Sequence, residues 1–452
     1  MITLHYIERI ILVHIFILIF LFIETDLFAQ GTAGLVNPLF GASALAQGNA
    51  FVARADDATA INFNPAGLTQ LKDAQFSLGA SFVLPFVDYR GQGIHQHLHT
   101  KINTLPDIYF AAPIVKDRLA AGLGVTVPFG LQGKWNENGF SRFVITDFDL
   151  RVIDINPSLA FKPFSFLSIG AGLNYYLTKT DQKRHINVGL INSMLTGKPV
   201  VPGTPEGFQD LETDGNALGY NVGLLFNITP RHSVGISFRS KADVDLDGKL
   251  KISNLSGATE NVFGSVDFVS RASTRATIPE MLSFGYAYRH GDLWSVEADV
   301  QWTNWSRFDV LRYSFKPTNP LLEANKEDVR NWHNTLSFAL GGEYKLNEAL
   351  KLRGGYTFHE TPVPESTFEP SVPQSNRHGL FVGFGYYLRK KSLAGEEKPP
   401  ERSNKWIDFA YGTIFYEGRN VNNTVGDAQG GPIDGRYDLI TYIMAINFNY
   451  SF

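Results

Sequence analysis

Run after run of about ten residues alternates between apolar and polar side chains, and nothing else in the chain restricts its fold as strongly. In Trp294-Ser295-Val296-Glu297-Ala298-Asp299-Val300-Gln301-Trp302, one set is Trp, Val, Ala, Val and Trp, the other Ser, Glu, Asp and Gln. Period two sends the sets to opposite faces of a sheet. Leu336, Phe338, Leu340, Gly342 and Tyr344 stand against Ser337, Ala339, Gly341, Glu343 and Lys345 in the same way. Leu350, Leu352, Gly354, Tyr356 and Phe358 repeat the split against Lys351, Arg353, Gly355, Thr357 and His359.

A soluble sandwich alternates too. Here the polar faces carry charge pairs and the apolar faces end in aromatics, with no helical run or second sheet to cover them. Apolar outside and polar inside is the arrangement of a barrel in lipid, where closure satisfies every backbone group. The last strand sets Ile440, Tyr442, Met444, Ile446, Phe448, Tyr450 and Phe452 on one face, and the chain ends on that aromatic. Bacterial outer-membrane barrels typically end so, though a buried edge strand can as well.

The expectation is an all-β fold, a 14-stranded antiparallel transmembrane β-barrel over residues 73–452, with an even strand count as single-chain bacterial barrels have. The strands fall near 74–85, 104–115, 119–130, 146–161, 167–183, 212–229, 233–252, 271–289, 294–312, 333–346, 350–360, 377–388, 404–416 and 438–452. Short connections such as 116–118, 229–232, 290–292 and 346–349 belong on the periplasmic side. Long ones, 86–103, 184–211, 253–270, 313–332 and 361–376, belong outside. Arg389 to Ser403 is long yet falls on the short side, and reads as a solvated loop.

Composition removes other classes. With 44% hydrophobic residues but a mean hydropathy of −0.09, the chain suits neither a helical membrane protein nor a disordered one. A net charge of −4 without a basic run gives nucleic-acid binding no support. The absence of cysteine excludes disulfides and thiolate metal sites. After the N-terminus no stretch approaches the roughly 18 apolar residues of a spanning helix. Ile10 to Ile23, preceded by Arg9 and followed by Leu27-Phe28-Ala29, reads as a secretory h-region, so residues 1–29 are taken as a signal peptide cleaved near Ala29-Gln30. A retained anchor helix is the alternative.

Between signal and first strand, residues 30–72 are rich in Ala, Gly and small polar residues. Asn64-Pro65-Ala66-Gly67 is turn chemistry. Ahead of a closed barrel, such a segment is also placed to fold back inside as a plug, or hatch.

Together these residues resemble the FadL family of outer-membrane transporters of long-chain fatty acids and hydrocarbons. The resemblance rests on Gly41 to Asn49, on Ala53 to Leu68 with its Asn64-Pro65-Ala66, on Val127-Pro128-Phe129-Gly130-Leu131 and on Ile278-Pro279-Glu280-Met281. Trp302-Thr303-Asn304-Trp305-Ser306, Leu340-Gly341-Gly342-Glu343-Tyr344 and Arg353-Gly354-Gly355-Tyr356 continue it to the terminal Phe448-Asn449-Tyr450-Ser451-Phe452. It implies a monomeric outer-membrane channel without cofactor, capture of an apolar ligand at long outer loops, passage past the hatch, and lateral exit into membrane lipid beside a kinked third strand. Its terminal Phe452 strand would engage the barrel-assembly machinery.

Candidate transport residues follow. Pro128 cannot donate to a ladder, and Gly122, Gly124 and Gly130 weaken pairing, so the third strand with Phe129 is the candidate lateral gate; alternatively Pro128 marks the strand's end. Val188, Leu190, Ile191, Met194, Leu195, Val262 and Phe263 on two long loops offer an apolar landing site, or simply pack the loops. Arg377 opens the twelfth strand where the family can hold an arginine near a carboxylate, since a guanidinium fork matches one bidentately. Phe381 and Gly383 replace a hydroxyl partner there, which favours a neutral ligand, and a strand-start arginine is ordinarily solvated. Glu297, Asp299, Glu343, Lys345, Lys351 and Arg353 face inward and are expected to pair, and to latch the hatch through Arg54, Asp56 or Asp57. His95, His97 and His99 share a side of the first outer loop, but no obvious carboxylate lies between them, so no metal site is expected. An outer-membrane hydrolase would need an activated nucleophile, and neither Gly-x-Ser-x-Gly nor His-Glu-x-x-His occurs. A general porin or adhesin needs no plug.

Overall fold

The computed structural model describes residues 35–389 and 402–452; the signal-peptide reading and most of the 389–403 loop lie outside these. Fourteen antiparallel spans close on themselves. They are β1 (Gln75–Gly91), β2 (Asn103–Val115), β3 (Leu119–Lys134), β4 (Asp147–Phe164), β5 (Leu167–Ile186), β6 (Gly207–Asn227) and β7 (His232–Arg239 continued by Ala242–Ser253). There follow β8 (Phe268–Ile278 continued by Met281–His290), β9 (Trp294–Thr303), β10 (Thr335–Lys345), β11 (Leu350–His359), β12 (Arg377–Arg389), β13 (Arg402–Tyr416) and β14 (Gly435–Ser451). Pairing of β1 with β14, from Gln75 opposite Ser451 to Arg90 opposite Arg436, seals the cylinder and leaves no free edge there.

Alternation resolves as expected. Leu336, Phe338, Leu340 and Tyr344 of β10 are exposed on the outer surface, as are Met444, Ile446 and Phe448 of β14, and the terminal Phe452 ring rests beside Tyr450 and Phe110. Several strands run past the expected ends: β1 continues to Gly91 and β3 to Lys134. The ninth departs most, ending at Thr303 instead of 312. Trp305 leaves the strand face in a single turn, Trp305–Arg307, and is buried against Trp332 at 5.0 Å between ring centres. Burying two indoles outweighs continuing the ladder, and beyond the turn Val310–Arg312 pairs with Glu327–Val329 instead.

Candidate transport path

The segment from Leu35 to Leu71 is almost wholly buried, and what it touches is the polar-side faces of the strands. Asn447 of β14 accepts from the Ala42 N–H at 2.7 Å, Ser233 of β7 donates to the Ala53 carbonyl at 2.9 Å, and Asn221 of β6 donates to the Ile61 carbonyl at 3.0 Å. Thr69 meets Ser168 of β5 at 2.6 Å. Small strand residues make room: a Cβ on Gly170 would stand 2.3 Å from the backbone of Pro65 and Ala66, and one on Gly223 2.0 Å from the Asn64 side chain.

Asn64 explains why Asn-Pro-Ala-Gly folds as it does. Its Oδ1 caps the 3-10 turn Pro65–Gln70 by accepting from the Ala66 N–H at 3.2 Å, while Nδ2 donates to the carbonyls of Val52 and of Leu224 on β6. Gly67 packs directly on Ala55. The motif is thus a turn and an anchor at once.

The inward charges divide into two groups. Asp299 accepts the N–H groups of Phe51 (2.8 Å) and Val52 (3.0 Å), and Glu297 those of Ala53 (2.5 Å) and Arg54 (3.1 Å), so two carboxylates of β9 hold four consecutive amides. Of the three residues expected to latch the segment, Asp56 reaches a charged residue of the wall, Arg289 of β8, at 3.8 Å. Arg54 pairs with Asp56 at 3.2 Å, bonds Gln47 and lies over the Phe51 ring, and Asp57 accepts from the N–H and hydroxyl of Thr59. Lys351 and Arg353 close on Glu343 at 2.6 and 2.8 Å, with Arg353 also on Asp408, and Lys345 pairs with the turn residue Glu348. Burial, reinforced by the charge of Asp56, pushes the Asp57 carboxyl up to about 6 against its Thr59 hydrogen bonds.

In the third strand the β2–β3 ladder ends at Ile108 opposite Val125. Immediately above, Val127 and Pro128 oppose the single residue Ile153, because Thr126 faces Asp154 and Phe129 faces Val152. This is a bulge, and Pro128, which has no N–H to give, sits in it. The strand's vacated side takes residues 35–37 instead: Asn37 N–H donates to the Pro128 carbonyl at 2.7 Å and Gly130 N–H to Leu35 at 2.9 Å, around a bridge of Val36 with Phe129. Gly122 and Gly124 play a separate part, leaving space for Ile61. Pro128 therefore marks a mid-strand break, since β3 continues to Lys134.

Two chambers adjoin that break. One, of about 970 Å³, is lined by Phe129, Phe148, Val152, Trp305, Phe308 and Trp332 among others. The next, of about 850 Å³, shares Phe129 and is bounded by Val36, Phe63, Met281 and His359. Toward the long loops, Tyr313, Arg330 and Glu369 are common to the first chamber and an outer cleft, and Arg330 there joins Asp328 at 2.5 Å and Glu369.

Of the loop residues, Val188 is buried in a cluster with Leu211, Leu250 and Phe315, and Phe263 packs on Phe268, so these two build the loops. Leu190, Ile191 and Val262 are half-buried. Met194 and Leu195 are exposed, with Val200 and Val201 beside them in the chain. Their helix, Val188–Thr196, is tied to Gly257–Phe263 through Asn192, which accepts from the Thr259 N–H at 2.7 Å.

Arg377 is not a solvated charge: it is 2% exposed, and none of its guanidinium nitrogens has a hydrogen-bond partner among the described residues. Tyr416 offers only its ring, 5.9 Å away, and Phe381 below packs on Gly379 and Gly412 within a cluster with Leu39, Leu45 and Val127. Sequence reasoning missed Asp408, Trp305, and the buried Arg239–Asp154 pair at 2.8 Å. Asp408 lay in plain alternation with Trp406, whereas Trp305, though within the Trp302–Ser306 run that carries the resemblance, showed no place in the chamber before its turn was known.

Residues 34–452 match the family model described as outer membrane protein transport protein (OMPP1/FadL/TodX). The chain belongs to this family. It is therefore an outer-membrane protein of a family of transport proteins. A putative outer membrane protein of Neisseria meningitidis serogroup B is 28% identical over 435 residues, 89% of this chain and 91% of the relative. A long-chain fatty acid transport protein of Escherichia coli O6:H1 is 24% identical over 424 residues, covering 88% and 89%. Among solved structures, a Pseudomonas aeruginosa FadL homologue superposes with a TM-score of 0.81 at 22% identity, over 93% of this chain and all of that one. The Pseudomonas putida toluene transporter TodX does so at 0.67 and 18%, over 95% of this chain and all of that one.

Proposed function

We propose that this outer-membrane family member is a passive channel for hydrophobic compounds, and that its preferred ligand is an apolar tail bearing a carboxylate. The observation that carries the carboxylate is Arg377, a buried cation with five unanswered donors, a state costly enough that an anionic partner is the natural remedy. The tail is accounted for by the apolar chambers, where each buried methylene contributes about 0.8 kcal/mol. Ligand is caught at Met194 and Leu195, enters the aromatic chamber, and leaves sideways where the β2–β3 ladder stops, with residues 35–71 serving as the hatch. Long-chain fatty acid transport by the Escherichia coli relative favours this substrate class.

A neutral aromatic hydrocarbon is the second reading, favoured by Trp305, Trp332 and Phe308 around the larger chamber and by the toluene transporter's likeness in fold. Binding of oleate, its methyl ester and toluene to wild type and Arg377→Met separates the two. Loss of a charge-assisted contact worth about 1.5–3 kcal/mol lowers oleate affinity roughly 10- to 100-fold and leaves the ester and toluene unchanged. Equal behaviour of all three ligands in both proteins supports the hydrocarbon channel.

A further inference from the structure

We propose that the first long-loop hairpin is a binding site for one divalent transition-metal ion of the zinc, copper or nickel kind, held by Asp88, His95 and His97. The carboxylate that the linear sequence does not supply is brought in by the fold. Gln92 and Gly93, with φ of 53° and 74°, form the two-residue turn that hairpins favour, so the chain folds straight back on itself. Gly91 then faces Ile94, Arg90 faces His95 and Asp88 faces His97. Residues two apart share a face, which collects Asp88, His95 and His97 on one side while Gln96, on the other, accepts from the Phe140 N–H at 3.3 Å.

The three potential ligand atoms lie within 4.8 Å of one another, the imidazole centres are 4.5 Å apart, and His97 Nδ1 is hydrogen-bonded to Asp88. Donors of a tetrahedral ion with bonds of about 2.1 Å stand roughly 3.4 Å apart, so side-chain rotation alone closes the set. Two imidazoles and a carboxylate with remaining positions open to water suit a borderline ion, and disfavour calcium or magnesium, which take oxygen donors. Arg90 and Arg436 lie on the same face and oppose a cation, but Arg436 is already neutralised by Asp438 at 2.8 Å and Arg90 is exposed. The site faces outward one step above Phe86, whose ring meets Tyr442 on the outer wall. An ion there would staple the returning arm Ile94–His97 to β1.

The test is calorimetric titration of the detergent-solubilised barrel, carrying no polyhistidine tag, with zinc chloride and then nickel chloride. One ion per chain is expected, with affinity reduced about tenfold or more by each of His95→Gln, His97→Gln and Asp88→Asn. His95→Gln removes a ligand that takes no part in the Asp88–His97 bond, so hairpin folding is kept apart from metal loss. Slower amide exchange over residues 88–97 on adding zinc, in wild type only, is the second readout. Binding that persists in the triple variant, or that falls instead in Asp181→Asn with Asp210→Asn, the all-carboxylate group on the same outer wall, overturns the proposal.

Discussion

The carboxylate of Asp299 accepts the backbone N–H of Val52 at 3.0 Å, and through this contact a strand of the wall holds a segment almost 250 residues earlier in the chain. Neighbouring bonds from Phe51, Ala53 and Arg54 complete it. Main-chain donors are used, so the grip depends on the path of residues 51–54 rather than on their side chains.

Replacing Glu297 and Asp299 together by Gln and Asn keeps shape but loses the charge, and at position 297, where both carboxylate oxygens accept, it sets amide hydrogens against one N–H group. Each charge-assisted bond contributes about 1.5–3 kcal/mol, so the segment should detach far more often. Single-channel recordings should then show large openings absent from wild type, with barrel content unchanged. A quiet double variant would mean that the segment is held elsewhere.

Sterics make a complementary case at Gly170. A methyl group there meets the backbone of Pro65 and Ala66 at 2.3 Å, and backbone cannot swing aside as a side chain does. Gly170→Ala should cost about 1–3 kcal/mol in seating of residues 64–70, seen as faster amide exchange there while exchange in β12 to β14 stays as in wild type.

The barrel was legible because period two is a local signal repeated in every span, and because aromatic ends and a terminal Phe452 do not depend on partners. Asn64 was likewise visible as turn chemistry. What escaped was set by encounters between distant segments. Glu297 and Asp299 read as members of one lumen cluster with Lys351 and Arg353, yet the former bind amides and the latter close on Glu343 and Asp408. The burial of Arg377 was hidden because nothing in its own strand reveals that Tyr416 and the packed Phe381 seal it off. Asp88 was separated from His95 by a turn whose tightness rests on two positive φ values.

Removing one residue from the Val127–Pro128 bulge should let Thr126 to Lys134 continue in register with β4, straightening β3. The prediction is a folded, membrane-inserted barrel that still binds ligand but loses most of its uptake, because the edge that residues 35–37 occupy would turn toward β2. Measuring oleate binding and cellular uptake on the same variant separates entry from exit. Uptake at the wild-type rate would place the exit elsewhere.

Asp57 gives the hatch segment a pH dependence whose sign is fixed by its shift. Its carboxyl is raised from about 4 to about 6, so the folded form prefers the neutral acid. The associated stabilisation is complete below about pH 4 and disappears as pH rises through 6. Asp56, beside it, adds an opposing dependence: burial raises its carboxyl, but Arg54 and Arg289 more than reverse this, so its contribution is lost as pH falls. Asp57→Asn removes the first effect while keeping an oxygen for Thr59. At pH 8 this variant should hold residues 55–62 more firmly than wild type, by on the order of 1 kcal/mol, as read from amide exchange corrected for intrinsic rates. At pH 4.5 the two proteins should nearly coincide, and a difference that grew toward acid would contradict the assigned direction.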